Sequence, residues 1–463
     1  MRMPLVETMR QWISRGGERW HTPGHKGNGE PFGGLDFPWQ WDLTEVGPLV
    51  RDGSPADMVR ASEEQLARQL AVRRSWYSVQ GASLPVMAAM LAAFPPGARV
   101  VIERHAHRSA LAACILGDLR PLWIPTTVDA GGRVLPSSPA QWESYSAGSD
   151  GMVITRPTYD GIALPGDTVK QLTERAHARG QKVVVDEAHG AHWPGRSGFP
   201  DSALYLGADL VAHGVHKTEP TLTQTGALHL VGGTVNQETV EWWWNLLATS
   251  SPSYLLLASL DRWQAERADP QVTTAWEEVA VFMQRLWSEL NEQGFRVWQL
   301  EAQRQWTMQA DPAKLSIRGP GPMWARQLAK AGHVEKVEPG LLTFIVGPGQ
   351  SLHSLREAIS ALDPDAAKRP TPVLEAPELP EVVMNPRDAA MRPVAWVPLS
   401  QAMGRIAGRA VVPYPPGSAW VVPGERWSEK LVKEILRSRA IVDRSWEGCQ
   451  ASQGEVWIGV IDE

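Results

Sequence analysis

The chain has 463 residues, 43% of them apolar and 21% charged, and a net charge of −6. That is the composition of a soluble globular protein too long for one ordinary core, so two or three domains are expected. The acidic balance argues against nucleic acid or an anionic membrane as a partner, and with only Cys114 and Cys449 there is no disulfide framework or cysteine-built zinc site.

The opening "MRMPLVETMRQWISRGGERW" has charges throughout and lacks the apolar run of a signal peptide. No later run approaches membrane-spanning length. With so few cysteines a reducing, cytoplasmic location is expected. The 22 tryptophans are scattered and read as core filler. After a short helical N-terminus, a Gly-, Pro- and Trp-rich region covers about 21–55. An alternation of strands and helices follows, in which "ARVVIE" (98–103), "GMVITR" (151–156), "KVVVDE" (182–187) and "ADLVAH" (208–213) are strand-length apolar runs. Between them lie helix-like stretches such as 165–180, with Asp167 near its start and Gly180 as a stop. Such alternation indicates a mostly parallel sheet covered on both faces. The expected units are an N-terminal segment lining the active site (1–55), a large α/β domain (56–259), a small α/β domain (260–362), a Pro-rich linker or wrap (363–393) and a compact C-terminal unit (394–463). No fixed-period repeat is present.

Ligands of parallel sheets sit at the carboxyl ends of the strands, so the residues after each run carry the interest. They are His105-Ala106-His107, Arg156-Pro157-Thr158-Tyr159, Asp186-Glu187-Ala188-His189 and His213-Gly214-Val215-His216-Lys217. Singly, each polar residue reads as a turn former or helix cap. Their concentration on one edge weakens that reading. Two chemistries could use the set. A metal hydrolase would take ligands from His105/His107, Asp186/His189/His192 and His213/His216, but no tight ligand motif is present. Pyridoxal-phosphate chemistry needs a lysine to condense with the aldehyde, a carboxylate to hold the ring nitrogen protonated, and a helix start for the phosphate. Lys217, one of only ten lysines, Asp186 and the Gly81-Ala82-Ser83 turn that opens an apolar helix with Pro85 in its first turn satisfy all three.

Eight ordered motifs carry a resemblance: "HTPGHKGNG" (21–29), "DLTE" (42–45), "ERHAHRSA" (103–110), "RPTYDGIALP" (156–165), "VVVDEAHGAHW" (185–193), "VHKTEPTLTQTGAL" (215–228), "VPLSQAMGRIAG" (397–408) and "VVPYPPGSAWVVPGER" (411–426). In these the chain resembles the ornithine/lysine/arginine decarboxylases, in their compact form without an N-terminal wing domain. The resemblance implies an α/β, aminotransferase-like (fold type I) architecture: a mostly parallel sheet domain for pyridoxal 5'-phosphate and smaller α/β C-terminal domains. It also implies no metal, and a homodimer or higher homo-oligomer.

By that resemblance Lys217 would carry the cofactor as a Schiff base and Asp186 would pair with its ring nitrogen. His189 would sit near the ring oxygen or the substrate carboxylate, and His107 would stack on the ring. Gly81, Ala82 and Ser83 would hold the phosphate. His216 would stand between cofactor and substrate as a proton source, while His192 reads as structural. The expected reaction turns a basic amino acid (lysine, arginine or ornithine) into CO2 and a diamine or agmatine, an entry to polyamines. An acidic group should meet the distal cation: Glu425 of the Pro-Gly-Glu turn, with Asp52 or Glu219 as rivals. Another fold type I reaction, such as a transaminase using Arg405, Arg409 or Arg426, and a catalytically impaired relative stay open. The family usually has hydroxyls at the positions of Ala82 and Gly214. Without them the phosphate has fewer donors, with His213 as an expected substitute, and a lost charge-assisted bond is worth about 1.5–3 kcal/mol. "PLVRDGSPADM" (48–58) and Glu219 also depart from the family pattern.

Overall fold

The computed structural model describes residues 2–28, 37–44, 55–129, 131–368, 371–372, 378–441, 445–452 and 455–462. Its large sheet has seven strands: β1 (Arg74–Ser78), β2 (Arg99–Glu103), β3 (Arg120–Ile124), β4 (Gly151–Thr155), β5 (Lys182–Asp186), β6 (Leu210–His213) and β7 (Gly226–Leu230). They lie in the order β1-β7-β6-β5-β4-β2-β3. Only β7 runs against its neighbours; the pairs from β6 to β3 are parallel. The pleat explains the uninterrupted apolar runs. Val183 and Val185 of β5 enter the core on one face of the sheet and Val184 the core on the other, so every residue of such a strand must be apolar.

The four expected strands are β2, β4, β5 and β6. The other three carried weaker signals. Strand β3 contains Pro121, which an edge strand tolerates because it needs no N–H on its open side. Strands β1 and β7 bury polar groups that satisfy each other: Ser75 Oγ lies 2.9 Å from His229 Nδ1. The expected helix at 165–180 forms over Gly166–Ala178.

A second, antiparallel sheet holds β8 (Arg296–Val297), β9 (Lys314–Arg318), β10 (Lys336–Glu338) and β11 (Leu341–Ile345) in the order β8-β9-β11-β10. The long helix Pro270–Glu292 packs on it through Met283, Leu286 and Trp287. The preceding helix, Tyr254–Glu266, straddles the expected boundary at 259/260 and buries Leu257, Leu260 and Trp263 in the large core. A short ladder of Ile162–Ala163 with Gln309–Ala310 ties the two units together. Within the Pro-rich stretch, the helix Pro386–Ala390 docks on the large domain, Asn385 Nδ2 donating to Asp118 at 2.8 Å. The C-terminal unit is built on β12 (Val394–Pro398), β13 (Cys449–Ser452) and β14 (Glu455–Ile461), with β14 central. Trp142, Trp263, Trp276, Trp287, Trp298 and Trp324 are among the largest fully buried side chains, as core filler should be.

The helix Pro55–Leu70 is fastened to β1 by Glu63, which accepts the Tyr77 N–H at 2.8 Å and Arg74 Nη2 at 2.7 Å. Burial pushes the Glu63 carboxyl up to about 7, outweighing the pull of Arg74 and of the Tyr77 N–H. Its folded pKa therefore lies above the unfolded value, and the folded chain binds the extra proton between about pH 4.5 and 7. Stability from this group falls as pH rises through that window, by about 3 kcal/mol in all. Denaturant unfolding at pH 4.5 and pH 8 should show wild type losing that much relative to Glu63→Gln, which lacks the titration.

Candidate active site

The carboxyl ends of the central strands open on a cavity of about 510 Å³. Its walls come from three units. The large domain provides Gly81–Ser83, Arg104, His105, His107, Thr155, Pro157, Tyr159, Asp160, Asp186, Ala188, His189, His216 and Lys217. The small sheet adds Glu335, Lys336 and Glu338, and the C-terminal unit adds Tyr414 and Ser418–Trp420.

Lys217 owes its position to the exit from β6. After His213 the chain passes through Gly214 into a single 3-10 turn, Val215–Lys217, which sends the lysine back toward the end of β5. A Cβ on Gly214 would stand 2.8 Å from the Ala188 carbonyl oxygen and 3.2 Å from Lys217 Cδ. Here a side chain is sterically excluded unless the loop shifts, which accounts for the missing hydroxyl at this position. Asp186, the last residue of β5, is buried and accepts the Ala188 N–H at 3.1 Å. Burial raises its pKa and the Lys217 charge opposes that rise; burial lowers the Lys217 amine and the Asp186 charge opposes that fall.

Three histidines surround this pair. His189 lies between two amines, with Nε2 3.1 Å from Lys217 Nζ and Nδ1 3.0 Å from Lys314 Nζ. The Tyr159 ring meets it edge-on at 5.0 Å. Burial, then the charges of Lys217 and Lys314, hold His189 well below the usual imidazole range. His107 caps the helix Arg108–Gly117, accepting the Ser109 N–H on Nδ1 at 3.2 Å, and the Gly417 loop of the C-terminal unit closes over it. Its pKa is pushed down to about 4 by burial and then by Lys217 and Arg108, so the ring is neutral near pH 7. His216 donates Nδ1–H to the Thr225 carbonyl at 2.6 Å, leaving Nε2 as its lone-pair nitrogen, and burial lowers its pKa.

The helix Ser83–Ala93 begins at the cavity with no side-chain cap. Its first-turn N–H groups have no partner within the helix, which makes an anion site. Gly81 serves by conformation rather than by donation: it has φ +64, and its own N–H is committed to the Gln224 carbonyl at 2.7 Å.

Several expected site residues lie elsewhere. His213 does not reach the phosphate turn: its Nε2 is 2.9 Å from Glu187 and its Nδ1 3.1 Å from His229, in a fully buried chain of polar groups. Glu425 does not line the cavity. It is buried behind the wall, its Oε2 bound at 2.7 Å to Arg104 and at 2.8 Å to the Val422 N–H, so its charge is already matched by an arginine rather than turned to the cavity. Glu219 is buried, paired through Oε1 with Arg196 at 2.7 Å, and does not line the cavity. Asp52 lies outside the described residues. Among the described residues none of 1–55 lines the cavity; the helix Pro4–Arg15 instead buries Leu5, Val6 and Met9 in the large core. His192 is structural, 3.0 Å from Asp311 and stacked on Trp276. Arg405, Arg409 and Arg426 are absent from the cavity wall. Among the described residues, no three of His, Cys, Asp and Glu converge as metal ligands would.

Other residues join the site without having been singled out. Lys314, at the start of β9, is fully buried. Lys336 is held by Asp160 at 2.7 Å and by Glu338 at 3.3 Å. Glu335 accepts the Tyr159 hydroxyl at 2.5 Å. The scarcity of lysine that drew attention to Lys217 also applied to Lys314 and Lys336; Glu335 carried no comparable signal.

A family model described as the Orn/Lys/Arg decarboxylase major domain matches residues 3–337, and one for the C-terminal domain of the same enzymes matches 372–450. The arginine decarboxylase of Bacillus subtilis (strain 168) is 29% identical, over 94% of this chain and 93% of its own. The lysine decarboxylase of Francisella novicida has the same fold, with a TM-score of 0.81 at 20% identity over 99% of this chain and 81% of that one. More distantly, serine palmitoyltransferase from S. paucimobilis, solved with PLP-myriocin bound, gives 0.53 at 14% identity over 77% and 82% of the two chains. The fold is thus that of the fold type I enzymes, and the chain belongs to the ornithine/lysine/arginine decarboxylase family of amino-acid carboxy-lyases.

Proposed function

We propose that this protein uses pyridoxal 5'-phosphate to decarboxylate a basic amino acid. One observation carries the reading: the Lys217 amine, the Asp186 carboxylate and the uncapped start of the helix Ser83–Ala93 face one cavity, with His107 and His189 between them. These groups fit the cofactor. Lys217 would hold its aldehyde carbon, Asp186 its ring nitrogen, and the N–H groups of Ala82 and Ser83 with the Ser83 hydroxyl its phosphate. The bound cofactor supplies an electron sink for the pair left behind when CO2 departs.

The residues of the chain do the rest. Asp186, buried and short of other donors, keeps a proton on a nitrogen placed against it. His107 presents a neutral ring that can pack on an aromatic face. His216, with Nε2 as its lone-pair nitrogen, takes up a proton and returns it near the reacting carbon; the freed Lys217 amine is the rival donor. Glu335 replaces Glu425 as the candidate for the distal cation. Asp160 and Glu338 share an ion pair with Lys336, whereas the exposed Glu335 accepts the neutral Tyr159 hydroxyl and feels the charges of Lys217 and Lys314 without an ion pair to either among the described residues. The similar Bacillus enzyme makes arginine the first substrate to assay. We also propose an assembly of at least two copies, with a cytoplasmic role in amine formation.

Three measurements test this reading. Wild type supplied with pyridoxal phosphate should absorb visible light, bleach with borohydride and release CO2 plus an amine. Lys217→Ala should lose the band and at least about 10³-fold of activity; CO2 release at the wild-type rate, or a keto acid as product, would refute the assignment. Glu335→Gln should raise KM for the basic substrate about tenfold to a hundredfold with a smaller change in kcat, in line with a lost charge-assisted bond. A sizing column should give at least a dimer, and a monomer would contradict the proposed assembly.

A further inference from the structure

We propose that Lys314 is a positioning residue: its ammonium group fixes the hydrogen of the His189 ring on Nε2 and so presents Lys217 as a neutral amine to the cofactor aldehyde. This rests on the functional reading above and extends it to a residue of the small sheet.

The argument begins with proton counting. A neutral imidazole has one N–H and one lone pair. His189 has an amine at each nitrogen, Lys314 at 3.0 Å from Nδ1 and Lys217 at 3.1 Å from Nε2. An ammonium group can only donate. If both amines were charged, both ring nitrogens would need lone pairs, which a neutral ring lacks. At most one of the two amines is therefore charged. The charge belongs on Lys314 once the cofactor nitrogen occupies Asp186. Lys314 faces Asp311, Asp160 and Glu335, whereas Lys217 is then left with Glu335 and with the neutral rings of His107 and His216 nearby. Burial lowers the Lys314 amine to about 8, still mostly protonated at pH 7, and also lowers Lys217.

The surroundings of Lys314 are built to place it. The side chain is fully buried, and its backbone N–H is held by the Asp311 carbonyl at 3.0 Å. Asp311 in turn donates its own N–H to the Gly161 carbonyl at 2.8 Å. A Cβ on Gly161, at φ +82, would come within 2.5 Å of Lys314 Cγ, so the glycine of "TYDG" leaves the channel through which the lysine reaches the ring. Among the described residues, His189 is the hydrogen-bond partner of this amine.

The step that gains is cofactor capture. The neutral Lys217 nitrogen adds its lone pair to the aldehyde carbon, a carbon–nitrogen bond forms, and the aldehyde oxygen leaves as water with the two nitrogen hydrogens. A protonated Lys217 has no lone pair to give.

The test uses full-length apoprotein mixed with pyridoxal phosphate between pH 6 and 10. Growth of the visible band gives the rate, and borohydride trapping with mass spectrometry locates the link. Lys314→Met should move the half-maximal pH of capture up by about one unit and slow capture at pH 7 about tenfold. Lys314→Arg, which keeps the charged donor, should move the profile back toward wild type. A folded Lys314→Met protein with the wild-type profile would overturn the inference. If wild type itself forms no link at Lys217, the functional reading fails instead. Should Lys314→Met not fold, ¹⁵N shifts of histidine-labelled wild type saturated with pyridoxine 5'-phosphate, which fills the ring site but has no aldehyde to consume Lys217, decide with His189→Gln for assignment: hydrogen on Nε2 supports the inference and hydrogen on Nδ1 overturns it.

Discussion

The attraction between the buried Asp186 carboxylate and the Lys217 amine organises the site. Both groups stand at the ends of adjacent parallel strands, where the sheet excludes water and each alone would be costly to ionise. Each makes the other tolerable, and the histidines around them are forced neutral by the same desolvation. A cofactor that brings a cationic ring nitrogen and an anionic phosphate suits this arrangement, because it satisfies a carboxylate and a helix start that the chain leaves open.

The fold serves that pair by supplying rigid backbone in a few places. Gly214 lets the Lys217 turn pass against Ala188, and Gly81 turns the chain into the helix Ser83–Ala93. The small and C-terminal units then finish walls that the large sheet alone leaves exposed. Reactive groups are thus carried on strand ends and short turns, where their placement is set by the backbone rather than by long mobile side chains.

Much of this was legible in the sequence, and the exceptions have a common cause. Apolar runs buried on both faces announced β2, β4, β5 and β6, and the residues following them announced Asp186, His189, His216 and Lys217. Strands β1 and β7 were hidden because Ser75 and His229 make them look polar, although each satisfies the other. Pairing misled in the same way at Glu425, Glu219 and His213. A carboxylate or imidazole in a motif gives no sign of whether another residue, hundreds of positions away in the case of Arg104 and Glu425, already occupies it. Lys314 and Glu335 belong to a different sheet, and only tertiary packing brings them to the ring and to Tyr159.

The Arg104–Glu425 bond has a bearing on how such enzymes can be recombined. Arg104 also donates to the Trp420 carbonyl at 3.1 Å, so one guanidinium at the end of β2 locks two turns of the C-terminal unit onto the cavity wall. Separating buried partners of this kind costs about 3–5 kcal/mol, since each is left as an uncompensated charge. A chimera that imports a foreign C-terminal unit must therefore bring a carboxylate that meets Arg104, or leave that guanidinium buried without a counter-charge.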